Sequence, residues 1–141
     1  SKVFGLAGIR LGYAIGVPEV LAPINRVKEP FAVNLLAQAA GVAALQDTDF
    51  LRKSVATTWR ERRFLHSQFE ALGLEVIPSQ TNFMLVEVGP NASEIQQALL
   101  RRGVIIRPCG CYDLPHFLRI TVGSREQNER LISALKEVLS N

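Results

Sequence analysis

Apolar positions Leu51, Val55, Trp59, Leu65, Phe69 and Leu72 recur at near-helical spacing between Asp49 and Leu72, and Gly73 follows. The pattern predicts one long helix with a buried stripe and a glycine stop. Before it, "RLGYAIGV" has the apolar character of a strand and ends at Pro18, which suits the first turn of a short helix through "PEVLAPINRVK". Asn34 then stands where a side chain can cap the helix "LLAQAAGVAALQ", whose small residues allow close backbone approach. Beyond Gly73 the period shortens. "LEVIP" and "NFMLVEV" read as strands, "ASEIQQALLRRG" as a helix with Ser93 and Gln96 at capping-box spacing and Gly103 as its stop. "GVIIRP" and "FLRITVG" read as two more strands. The last helix opens on Ser124 and Gln127, again at capping-box spacing, and carries Leu131, Leu135 and Val138 on one stripe. Strand, strand, helix, strand, strand, helix is the order of a small α+β layer domain.

Composition narrows the setting. The 141 residues, 48% hydrophobic and 21% charged, are enough for one domain with a core or a small domain plus part of another. No apolar run approaches the roughly 18 residues of a membrane span, which argues against a membrane partner. The net charge of +3 is modest, and the basic residues of "RKSVATTWRERR" are spread along a helix rather than gathered with interleaved aromatics. They read as a solvated face and not as a nucleic-acid surface. Cys109 and Cys111 form a lone C-G-C with no second pair, which is not a zinc pattern, and such sparse cysteine suits a reducing cytoplasm.

Two arginines carry the chemistry of the carboxyl-terminal half. Arg119 lies between Leu118 and Ile120 in an apolar strand, so alternation turns it to the opposite face from Leu118, Ile120 and Val122. A guanidinium stays charged at any relevant pH, and its burial is costly without an anion. Neither arginine-bearing strand holds a carboxylate, which leaves two partners open, an acidic side chain elsewhere in the fold or a ligand carboxylate or phosphate. Arg107 precedes Pro108, is held extended, and is a second candidate anion contact. His66 and His116 read as surface residues, and Tyr13 and Tyr112 as packing residues.

"SKVFGLAGIRLGY" resembles the cofactor-lysine signature of fold-type I pyridoxal-phosphate enzymes, and "RPCGCYDLPHFLRITVGSREQNERLISAL" resembles the carboxyl end of histidinol-phosphate aminotransferases. With "PSQTNFMLVEV" between them, the resemblance covers essentially the whole chain. It implies an α/β fold: the carboxyl-terminal part of a fold-type I transferase, ending in an α+β small domain with helices packed on a largely antiparallel sheet. Residues 1–46 would close the large cofactor-binding domain, 47–72 would form a linking helix, and 73–141 the small domain. The implied activity is transamination between histidinol phosphate and 2-oxoglutarate, with pyridoxal phosphate as cofactor, in a longer and homodimeric enzyme of which this piece alone is inactive.

The resemblance also implies roles. Lys2 would be the catalytic lysine that binds pyridoxal phosphate through its amine and moves the proton at the substrate's Cα. Arg10, on a rigid strand, and Ser1 would hold the cofactor phosphate. Arg119 would take the substrate carboxylate or phosphate, with Arg107 as its second contact. A threonine-phosphate decarboxylase shares this lysine and phosphate arginine but tends to carry a basic residue where this chain has Gly123. A non-catalytic assembly module is the alternative outside the enzymes.

Overall fold

Four short strands, β1 (Glu75–Ile77), β2 (Phe83–Glu87), β3 (Arg107–Pro108) and β4 (Phe117–Thr121), form one sheet in the order β1-β2-β4-β3. Every neighbouring pair is antiparallel, with Val76 opposite Val86, Met84 opposite Ile120 and Pro108 opposite Leu118. The computed structural model describes residues 1–140. It divides the chain into two compact units, Ser1–Val55 and a second from Ala56 onward.

In the second unit, alternation gives the sheet two unlike faces. Met84, Val86, Leu118 and Ile120 are buried and meet Leu65 and Phe69 of α3 (Thr48–Ala71), Ile95 and Leu99 of α4 (Ala92–Arg101), and Leu131, Ile132 and Leu135 of α5 (Arg125–Leu139). The helices thus share one face of the sheet, and the core lies between. The expected strand and helix order of this half is the one observed. Its helix ends obey local chemistry. Past α3, Gly73 takes φ 72°, with Leu74 N–H donating to Phe69 O and Gly73 N–H to Glu70 O. Past α4, Gly103 takes φ 74°, with Val104 N–H donating to Leu99 O and Gly103 N–H to Leu100 O. Both are Schellman closures, whose left-handed residue glycine supplies without strain. Ser124 and Gln127 form the expected capping box on α5.

Three local expectations are corrected. Ser93 does not cap α4: the helix begins at Ala92 behind Asn91, because the Gly89 turn starts it two residues early with Ala92 N–H bonded to Gly89 O. "GVIIRP" pairs only at Arg107 and Pro108. As an edge strand ending in a residue without N–H, it has little ladder to extend. "RKSVATTWRERR" is not wholly a solvated face, since Glu61 within it is 1% exposed.

In the first unit, α1 (Pro18–Val27) starts on a proline and α2 (Leu35–Gln46) is capped by Asn34, whose Oδ1 accepts from Ala37 N–H at 2.9 Å. Asn34 Nδ2 also donates to Ile9 O at 3.2 Å, tying this helix start to the loop before Arg10. Leu11 sits directly over Gly41 of α2, where a β-carbon would lie 2.5 Å from Leu11 Cδ2. "RLGYAIGV" is not a strand. An extended segment becomes a strand only through a ladder, and none of the described strands lies in this unit. No helix among the described residues is long and apolar enough to cross a membrane.

Candidate functional site

The sheet face away from the helices carries the arginines. Arg119 stands opposite Leu85 on β2 and opposite Arg107 on β3. The Arg119 guanidinium lies 5.3 Å from the centre of the Phe83 ring, and that of Arg107 lies 5.6 Å from the centre of Tyr112. Arg119 Nε is buried and has no hydrogen-bond partner among the described residues. Glu87, the β2 carboxylate of this face, pairs in register with Phe117 and forms no ion pair with Arg119. The structure therefore supplies no acidic partner on the neighbouring strands. Like charges directly opposite one another on a sheet repel, and a buried donor left unsatisfied loses its hydration without return. An anion between the two guanidiniums would relieve both at once, in the bidentate geometry that carboxylate and phosphate share.

The backbone around this pair is held from both ends. Cys109 N–H donates to Phe117 O at 3.0 Å, and the buried Cys109 Sγ lies 3.8 Å from Arg107 O. Burial pushes the Cys109 thiol up, with Arg119 opposing, as for a sulfur packed within the fold. At the other end of β4, Asn128 grips Gly123, accepting its N–H at 3.0 Å and donating to its carbonyl at 3.1 Å. Asn128 also donates to Glu61 Oε2, and Glu61 accepts from Arg60 Nε and from both Nε and Nη2 of Arg125. The Arg125 guanidinium in turn covers the Phe64 ring at 3.7 Å. Burial by itself raises the Glu61 carboxyl, but the bonds from Arg60, Arg125 and Asn128 outweigh it and hold the group below its usual range.

The other sequence candidates lie in the first unit. Ser1 and Lys2 line a cleft of about 330 Å³ together with Phe4, Leu11, Tyr13 and Leu45. Ser1 Oγ donates to Leu11 O at 3.0 Å. Arg10 is not on a strand: it closes the turn Ala7–Ile9 in the left-handed region, φ 64°, and its Nη1 donates to Ala7 O at 2.8 Å. The correction has the same cause as the missing strand, a segment without a ladder. An amine, a hydroxyl and a guanidinium within ten residues form a donor set that fits an aldehyde bearing a phosphate. The two neutral carbonyls now holding Ser1 and Arg10 are weaker acceptors than a phosphate dianion.

A sequence model of the family described as aminotransferase class I and II matches residues 1–135. The chain belongs to that family. Its members depend on pyridoxal phosphate. A histidinol-phosphate aminotransferase of Symbiobacterium thermophilum is 50% identical over 139 residues, which are 99% of this chain and 38% of that protein. The histidinol-phosphate aminotransferase of Sinorhizobium meliloti, solved in complex with pyridoxal 5′-phosphate, superposes at a TM-score of 0.88 with 31% identity over 99% of this chain and 39% of its own. That of Clostridium acetobutylicum gives 0.90 with 27% identity, over 100% of this chain and 44% of its own. The chain thus spans under two-fifths of the curated relative's length, and its helices and small antiparallel sheet have the fold of the matching part of a fold-type I aminotransferase.

Sequence reasoning missed Tyr112 and Phe83 as ring supports for the arginines, and Glu61 as a buried anchor. No local pattern marks them, because each acts through a partner brought by the topology.

Proposed function

We propose that this chain forms part of a longer pyridoxal-phosphate enzyme that exchanges an amino group between histidinol phosphate and 2-oxoglutarate. The observation that carries the reading is the facing pair Arg107 and Arg119, with a buried Arg119 Nε that lacks an acceptor. Both substrates end in an anion, a phosphate on one and a carboxylate on the other, and a guanidinium fork takes either. The relatives named histidinol-phosphate aminotransferase support this choice of substrate.

Pyridoxal phosphate, when bound, supplies an aldehyde that takes up amines and a ring that withdraws electrons from the substrate's Cα. Lys2 holds the cofactor through Nζ and moves the proton at that carbon, as a primary amine on a short loop can do. Arg10 and Ser1, which now donate to the Ala7 and Leu11 carbonyls, would hold the cofactor's phosphate. Arg119 anchors the substrate's anionic end and so orients Cα, and Arg107 adds the second charge that a phosphate needs. Residues 1–46, 47–72 and 73–141 serve as the end of a cofactor domain, a linking helix and a substrate-anion domain of a homodimer. The 141 residues alone are expected not to transaminate; that the 139 aligned residues cover 38% of a histidinol-phosphate aminotransferase supports this.

Gly123 favours this reading over a phosphothreonine decarboxylase with a basic residue at that position. A β-carbon there would lie 2.7 Å from Gln127 Oε1 and 3.3 Å from Asn128 Oδ1, so a side chain at this turn would have to displace the groups that close it.

The test is a division of labour in the full-length enzyme. Arg119→Ala is expected to retain the cofactor and lose about 2–5 kcal/mol of transition-state binding for both substrates, whereas Arg10→Ala loses cofactor. Arg119→Lys recovers only part, since it keeps charge without the fork. Equal cofactor loss in the two alanine variants would overturn the assignment.

A further inference from the structure

Arg107 is exposed, sits on a two-residue edge strand, and faces a second guanidinium. Nothing in that strand keeps it there. A long exposed side chain gains rotamer entropy by swinging into water, and repulsion from Arg119 pushes it the same way. Its opposing restraint is the Tyr112 ring, 5.6 Å from the guanidinium. The turn Gly110–Tyr112 brings the ring back: Tyr112 N–H donates to Cys109 O at 2.9 Å, Leu114 N–H returns to the same carbonyl at 3.3 Å, and Asp113 closes the turn at φ 60°. The turn buries none of its own residues and Tyr112 is 53% exposed, so packing covers it only in part.

Resting on the anion reading of Arg107 and Arg119, we propose that Tyr112 is a positioning residue that holds Arg107 beside Arg119 and thereby sets the preference for a doubly charged phosphate over a singly charged carboxylate. Arg119 has its own support from Phe83 and a buried Nε, so it is in place without Tyr112. A carboxylate needs one fork and is served by Arg119. A phosphate dianion gains from two, and the second is available only where the ring keeps it.

The experiment measures inorganic phosphate binding to the full-length holoenzyme by calorimetry, with the KM for glutamate measured in parallel. Tyr112→Leu is expected to weaken phosphate binding about fivefold and leave the glutamate KM unchanged. Tyr112→Phe, which keeps the ring, binds phosphate as the parent does. In an Arg107→Ala background, Tyr112→Leu adds nothing, because the ring acts through that arginine. An undiminished effect of Tyr112→Leu in that background, an equal loss for phosphate and glutamate, or no effect at all would each overturn the proposal. Arg119→Ala separates the two levels. If it abolishes phosphate binding while Tyr112→Leu changes nothing, the anion seat stands and the role of Tyr112 falls; if Arg119→Ala leaves phosphate bound, both fall together.

Discussion

Replacing Glu61 with glutamine changes one oxygen into an amide and tests what fixes the end of β4. The carboxylate is 1% exposed and accepts from Arg125 Nε at 3.0 Å, Arg125 Nη2 at 3.2 Å, Arg60 Nε at 3.1 Å and Asn128 Nδ2 at 3.2 Å. Glutamine keeps one acceptor and turns an NH₂ toward donors. Arg60 and Arg125 have side chains 60% and 45% exposed, so water reclaims them. The loss is then smaller than for a fully buried ion pair, and one charge-assisted bond sets its scale at about 2–3 kcal/mol. Urea unfolding of the intact chain, followed by circular dichroism, measures it as a shift in midpoint at constant slope. The pH dependence has a definite sign. Because the folded carboxyl is held below its ordinary value of 4.5, its contribution is complete above that value and fades as the pH falls through the folded one. The gap between parent and Glu61→Gln is therefore level at neutral pH and closes on acidification. A gap under about 0.5 kcal/mol at neutral pH, or one that does not shrink in acid, would refute the reasoning.

The remaining predictions concern the neighbouring turn and the isolated chain. Gly123→Ala should cost about 1–2 kcal/mol, since its β-carbon displaces the Gln127 and Asn128 groups that close the α5 cap; an unchanged urea midpoint would show that the turn yields freely. Phe69→Ala, which empties a fully buried ring from between α3 and the sheet, should cost about 3–5 kcal/mol in the same assay. Titrating the 141-residue chain with pyridoxal phosphate should give weak, unsaturable uptake and no pyridoxamine phosphate on adding glutamate, whereas a saturable adduct that glutamate converts would mean that these residues suffice for catalysis.

Legibility in the sequence followed the range of the interaction. The ends of α3, α4 and α5 were readable because Gly73, Gly103 and the Ser124–Gln127 box act within one helical turn. Arg119 was readable as an anion seeker because alternation alone puts a charge in an apolar strand, but its pairing with Arg107 needs the β3–β4 register. Ser93 failed as a cap because the Gly89 turn preceded it, and "RLGYAIGV" failed as a strand because a strand is a property of two segments. Glu61 was unreadable for the strongest form of this reason: its burial depends on Arg125 and Asn128, which are 64 and 67 residues away. Tyr112 could be read only as a packing residue, since its contact is with a side chain and leaves no period behind.

Borohydride reduction of the full-length enzyme with its cofactor bound, followed by peptide mapping, tests the central claim that these residues hold pyridoxal phosphate through Lys2. The pyridoxyl group is expected on Lys2 alone, and Lys2→Ala is expected to abolish both the label and transamination while the protein remains folded. Recovery of the label on Lys28, Lys53, Lys136 or a lysine outside this segment, with Lys2 unmodified, would contradict the account.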